Sequence, residues 1–140
     1  MVKFRENVAF LADFPDDTVY GEDGDEAQFA GENVAKTLVS MLTAHGYDVG
    51  TPENCYELGW EFEVRRGKSV FAIRLTKIAE FVLVARDRTW RLWPDHKPYV
   101  AFLQDLHSVL SGDVRFSRIW WFEAELPSTE DEGFSNPVSA

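Results

Sequence analysis

Glu61 and Glu63 stand two residues apart. On a β-strand that spacing puts both carboxylates on one face about 7 Å apart, a separation that suits a two-carboxylate acid/base pair. Arg65, Arg74 and Arg86 lie in the same alternating region, so the acids read more simply as part of a solvated ladder of cross-strand ion pairs. Cys55 is the single cysteine and has no histidine at motif spacing. It reads as a structural thiol, and an intramolecular disulfide is excluded. The three histidines are scattered. His96 and His107 on one helix would stand about 16 Å apart, too far to share a metal, and His45 suits a helix C-terminus. The nine glycines form no G-x-G-x-x-G, no P-loop and no G-x-S-x-G elbow. These residues point to no catalytic machinery, no cofactor and no metal, and so to a protein that is not an enzyme.

The acidic run from Asp16 to Asp25 invites a calcium reading, because Ca²⁺ takes carboxylate and carbonyl oxygens from loops. Counted from Asp16, however, position 12 is Ala27, where a bidentate acid is needed. Residues 13–26 are expected to form a solvated acidic loop in which Asp16, Asp17, Glu22, Asp23 and Asp25 could dock a basic partner.

The elements that must position these groups follow from periodicity. Val34, Ala35, Leu38, Met41, Leu42 and His45 predict a helix over 27–45, stopped by Gly46. Phe102, Leu103, Leu106 and Leu110 predict a second over 98–111, opened by Pro98 and closed by Gly112. Residues 8–12 suggest a short strand. Between the helices the period is two. A turn at Gly67-Lys68 pairs Val64 with Phe71, Phe62 with Ile73, Trp60 with Leu75 and Glu61 with Arg74. Continued, the pattern sets Leu75 against Phe81, and a turn at Asp87-Arg88 sets Leu83 against Leu92. The expected result is a four-stranded meander with Trp90 and Leu92 on its core face. Residues 114–123 supply one more strand, giving an α+β fold in which two helices pack on the aromatic face of an antiparallel sheet of about five strands.

On the other face of that meander gather Val70, Ala72, Val82, Val84 and Trp93, framed by Glu61, Glu63, Arg65, Arg74, Arg86 and Arg91. A solvated sheet face should be polar. Either the chain covers this face, with the 114–123 strand, the segment before residue 27 or a helix, or another chain does. An apolar centre rimmed by Trp and Arg has the composition of a binding hot spot, so Val70, Val82, Val84, Trp93, Arg74, Arg86 and Arg91 are the candidate partner-binding residues.

The chain has 140 residues, 24 acids against 14 bases, and a net charge of -10. That length suits one domain, assigned to 1–126, with 127–140 as a disordered acidic tail. Residues 60–118 hold 7 acids and 11 bases, so the negative charge belongs to the two ends. Neither a nucleic acid nor a membrane is an expected partner. There is no signal-peptide h-region and no long apolar stretch, which predicts a cytoplasmic protein. In size, charge and layout the chain is similar to bacterial immunity proteins and secretion chaperones. The expected function is therefore protein–protein binding, with another protein, basic in character, or a second copy as partner. The alternative is a small enzyme or ligand-binding domain whose site is assembled on the sheet from Glu61, Glu63, Arg65 and Arg74.

Overall fold

A computed structural model describes residues 3–28, 30–123 and 133–139. Its elements in chain order are β1 (Lys3–Phe4), β2 (Asn7–Ala12), β3 (Val19–Tyr20), β4 (Glu26–Gln28), α1 (Glu32–Ala44), β5 (Asp48–Val49), β6 (Glu53–Asn54), β7 (Trp60–Arg66), β8 (Ser69–Lys77), β9 (Phe81–Asp87), α2 (Lys97–Ser111), β10 (Phe116–Phe122) and β11 (Val138–Ser139). The main sheet is antiparallel and has seven strands in the order β10-β2-β9-β8-β7-β5, with β6 also paired to β7. The fold is α+β, with two helices on the aromatic face.

The β7–β8 hairpin has the register that alternation dictates: Trp60 faces Leu75, Glu61 faces Arg74, Phe62 faces Ile73 and Val64 faces Phe71. Arg66 pairs with Ser69, leaving Gly67-Lys68 as the turn, and Gly67 takes the positive φ of 57° that its first central position needs. In the next hairpin β8 runs on to Lys77, which pairs with Phe81, and Leu75 faces Leu83. This is a two-residue shift from the expected register. A shift of two keeps every side chain on its face.

Phe62, Val64, Phe71, Ile73, Leu75 and Leu83 on that face meet Leu38 and Leu42 of α1 and Tyr99, Phe102, Leu103 and Leu106 of α2 in one core. Phe71 and Phe102 stack with centroids 4.4 Å apart and planes 2° from parallel. Gly59 lets the chain pass under β8, because a Cβ there would sit 2.1 Å from the Leu75 carbonyl oxygen.

Several expectations fail for identifiable reasons. Trp90 and Leu92 form no fourth meander strand. The place beside β9 is taken by β2, whose Asn7, Val8 and Ala9 pair with Val84, Leu83 and Val82. Helix α1 begins at residue 32 rather than 27, because residues 26–28 pair with β3 and Gly31 departs from helical geometry with φ 121°. Acidic loop 13–26 is therefore in part a hairpin. The final strand starts at Phe116 and carries a bulge, marked by Arg118 at φ 52° and a register shift between Ser117 and Trp120. That extra residue switches the pleat, so Phe116 and Trp121 both reach the core although they are an odd number of residues apart. The expected tail over 127–140 is ordered where it is described. Phe134 exchanges both backbone bonds with Trp121, and β11 pairs with β1. The buried Arg5 donates to the Asn136 carbonyl oxygen and the Ser139 hydroxyl oxygen, with its guanidinium 3.6 Å from the Phe134 ring centre. Of that tail, residues 127–132 and 140 lie outside the described residues. No helix among the described residues is long and apolar enough to cross a membrane.

Candidate functional site

The second face of β7, β8 and β9 forms an open groove of about 530 Å³. Ala72 and Val84 give it apolar lining, Glu61 and Glu63 of β7 with Glu53 line one side, Arg74 lies on β8 between Glu61 and Val84, and Arg86 and Arg88 line the β9 side. Strand alternation places Glu61, Glu63, Ala72, Arg74, Val84 and Arg86 here, since each lies one residue from a core side chain. Val70, Ala72, Val82 and Val84 are only half-buried. Among the described residues, neither the 116–122 strand, the 7–12 strand nor a helix covers this surface. The 116–122 and 7–12 segments lie within the sheet, and both helices pack on the opposite face.

Both carboxylates are engaged in ion pairs, Glu61 across strands and Glu63 within β7. Glu61 Oε1 accepts from Arg74 Nε at 2.8 Å, and Glu63 Oε2 is 2.8 Å from Arg65 Nη2. Held this way, with both pairs roughly half exposed, the two acids pair off with guanidinium groups instead of facing each other across a substrate position. Cys55 borders the side lined by Glu61. Burial and then the Glu61 carboxylate push its thiol above the ordinary value, the opposite of what a nucleophile needs. Arg86 is exposed on β9 opposite Ala72.

Beside the groove, residues 88–96 leave the sheet as a loop. Its root is fixed where the Thr89 hydroxyl oxygen accepts from the Val70 backbone N–H at 2.8 Å. Asp87 accepts from the Thr89 N–H and from Arg91 Nη1, the latter at 2.6 Å. Arg91 is thus a brace with a side chain only 19% exposed, and this corrects its expected place on the partner-facing rim. These bonds hold the Asp87 carboxyl below its ordinary value against the opposing effect of burial. Beyond the brace, Trp90, Leu92 and Trp93 are 80%, 76% and 80% exposed. Trp93 leaves the sheet face on which alternation would put it. Trp90 and Leu92, expected in the core, are functional candidates that alternation hid. The signal that could have found them is Pro94, which is poorly tolerated inside a central strand.

The acidic segment divides in two. Asp17, expected on the docking surface, is engaged within the chain: its Oδ1 accepts from the Gly31 N–H at 2.9 Å and its Oδ2 from the Asn33 N–H at 2.7 Å, capping α1 from outside the helix. Asp16 and Asp23 close local turns onto Thr18 and Asp25. Glu22, Asp23 and Asp25 are exposed at the hairpin tip. His96 occupies the position just before α2 without a side-chain capping bond, His45 ends α1, and His107 faces Trp121, whose Nε1–H donates to its Nδ1 at 3.0 Å. Among the described residues no cluster of three or more His, Cys, Asp or Glu could hold a metal ion. Compared with protein-family models, curated proteins and solved structures, the chain gives no match.

Proposed function

We propose that the protein is a non-enzymatic binding domain that engages another protein chain through the 88–96 loop and the adjoining sheet face, in an accessory role such as neutralising or chaperoning its partner. One observation carries this reading: three large apolar side chains within four residues, Trp90, Leu92 and Trp93, stand 76–80% exposed on a braced loop. Lone exposed apolar residues are ordinary, whereas a rimmed cluster containing two tryptophans marks an interaction site. Val70, Val82 and Val84 extend the surface, and Arg74 and Arg86 border it. The exposed acids at the hairpin tip would steer a basic partner without carrying the contact. Affinity capture from cells that make the protein, comparing wild type with the Trp90→Ala/Trp93→Ala double variant, tests this. A stoichiometric companion lost in the variant, at unchanged melting temperature, is expected. The same companions with both proteins would overturn the reading.

A further inference from the structure

The chain carries both halves of one interface, a concave groove and a convex indole-bearing loop, and we infer that the occupant of the groove is the 88–96 loop of a second copy of the protein, exchanged reciprocally about a two-fold axis. This rests on the reading above of the loop and sheet face as a binding surface, and puts a second copy there in place of a basic partner.

Three features carry it. The groove, at about 530 Å³, lies within the roughly 300–1,000 Å³ range of clefts that engulf most of a drug-sized molecule, which is room for two indole rings. Its lining suits indoles: Ala72 and Val84 are apolar, Arg74 and the exposed Arg88 bring guanidinium groups to the same groove, and Trp is the best aromatic partner for a cation. The loop is also rooted at the groove it would have to cross from, since Arg88 is both a rim residue and the loop's first residue. A two-fold axis near that rim carries each loop to the partner's groove, and a closed two-fold contact needs this self-complementarity. Trp90 and Trp93 stand clear of their own groove, each 80% exposed.

The area is sufficient. Two reciprocal loops bring four indoles, each burying about 150–250 Å², and the groove surfaces they cover bring the total into the roughly 1,200–2,000 Å² range of stable interfaces. Net charge opposes the association, because each copy carries -10, yet the contact region falls in the net-basic 60–118 segment. Added salt therefore tightens this dimer by screening the mutual repulsion, whereas it would loosen a complex with a basic partner.

Sedimentation equilibrium on the full chain tests the inference with three proteins: wild type, the loop variant Trp90→Ala/Trp93→Ala, and the groove variant Ala72→Glu. Arg88→Glu, at the exposed rim, replaces the groove variant should Ala72→Glu not fold. Wild type is expected to show twice 16.0 kDa at about 100 µM, and each variant to dissociate roughly 30-fold more readily or worse. A mixture of the two variants is expected to recover a dimer, because one intact loop then meets one intact groove. A wild-type monomer overturns the self-partner. If the Trp90→Ala/Trp93→Ala protein also loses a foreign companion in that case, the binding reading survives it. A dimer that persists in the loop variant, or two variants that fail to complement, overturns the loop-in-groove contact.

Discussion

The two faces of β8 and β9 share a backbone and differ in everything else. On one, Phe71, Ile73, Leu75 and Leu83 are at most 2% exposed beneath two helices. On the other, Val70, Ala72, Val82 and Val84 remain half-buried beside an open groove. The first face spends its apolar surface on stability. The second leaves part of its apolar surface uncovered, and the neighbouring loop adds two indoles and a leucine to it. Truncating core side chains should therefore unfold the protein, while truncating loop side chains should leave folding nearly untouched.

The largest effect falls on the core face. Phe102→Ala removes the ring stacked on Phe71 and should cost about 3–5 kcal/mol in urea denaturation; a cost below 1 kcal/mol would show that the helices do not depend on that stack. Next comes the cap. Asp17→Ala leaves the Gly31 and Asn33 N–H groups without their acceptor and should cost about 1 kcal/mol by the same measurement.

A smaller effect is set by pH. Burial lowers the His107 pKa below its ordinary value, and its Nδ1 accepts from Trp121. The unfolded chain then binds more protons than the folded one below the unfolded value of about 6.5. Stability should fall as pH drops from there toward the lowered folded value, then level off. His107→Gln should flatten that slope in melting-temperature measurements, and an unchanged slope would assign the acid sensitivity to other groups. The smallest effect on stability belongs to the loop. Trp93→Ala should change the unfolding free energy by no more than about 0.5 kcal/mol, and a loss of several kcal/mol would make Trp93 a core residue and erase the contrast.

What was legible in the sequence is what is local. The β7–β8 register follows from strict alternation around a glycine turn, and α2 follows from its apolar stripe and Pro98. The misread parts depend on distant chain. Trp90 and Leu92 alternate as a strand would, and only the arrival of β2 from residues 7–12 denies them a place in the sheet. Asp17 looks like solvated charge until the helix it caps is placed beside it. The C-terminal segment has a tail's composition, yet Val138 finds Phe4 and Asn136 finds Arg5 from the far end of the chain. At the site, alternation put Glu61, Arg74, Ala72 and Val84 together on one face, while Arg88 and Glu53 joined the groove through turns that periodicity does not encode.

The claim that loop 88–96 is a contact surface is tested most directly by a photo-activated cross-linking side chain placed at Trp93 and, for comparison, at Ile78, an apolar residue 68% exposed elsewhere on the molecule. Irradiation in the native cell, followed by mass spectrometry, should give a dominant adduct with one protein chain from position 93 and none from position 78. Equal adducts from both positions, or none from position 93, would contradict the account.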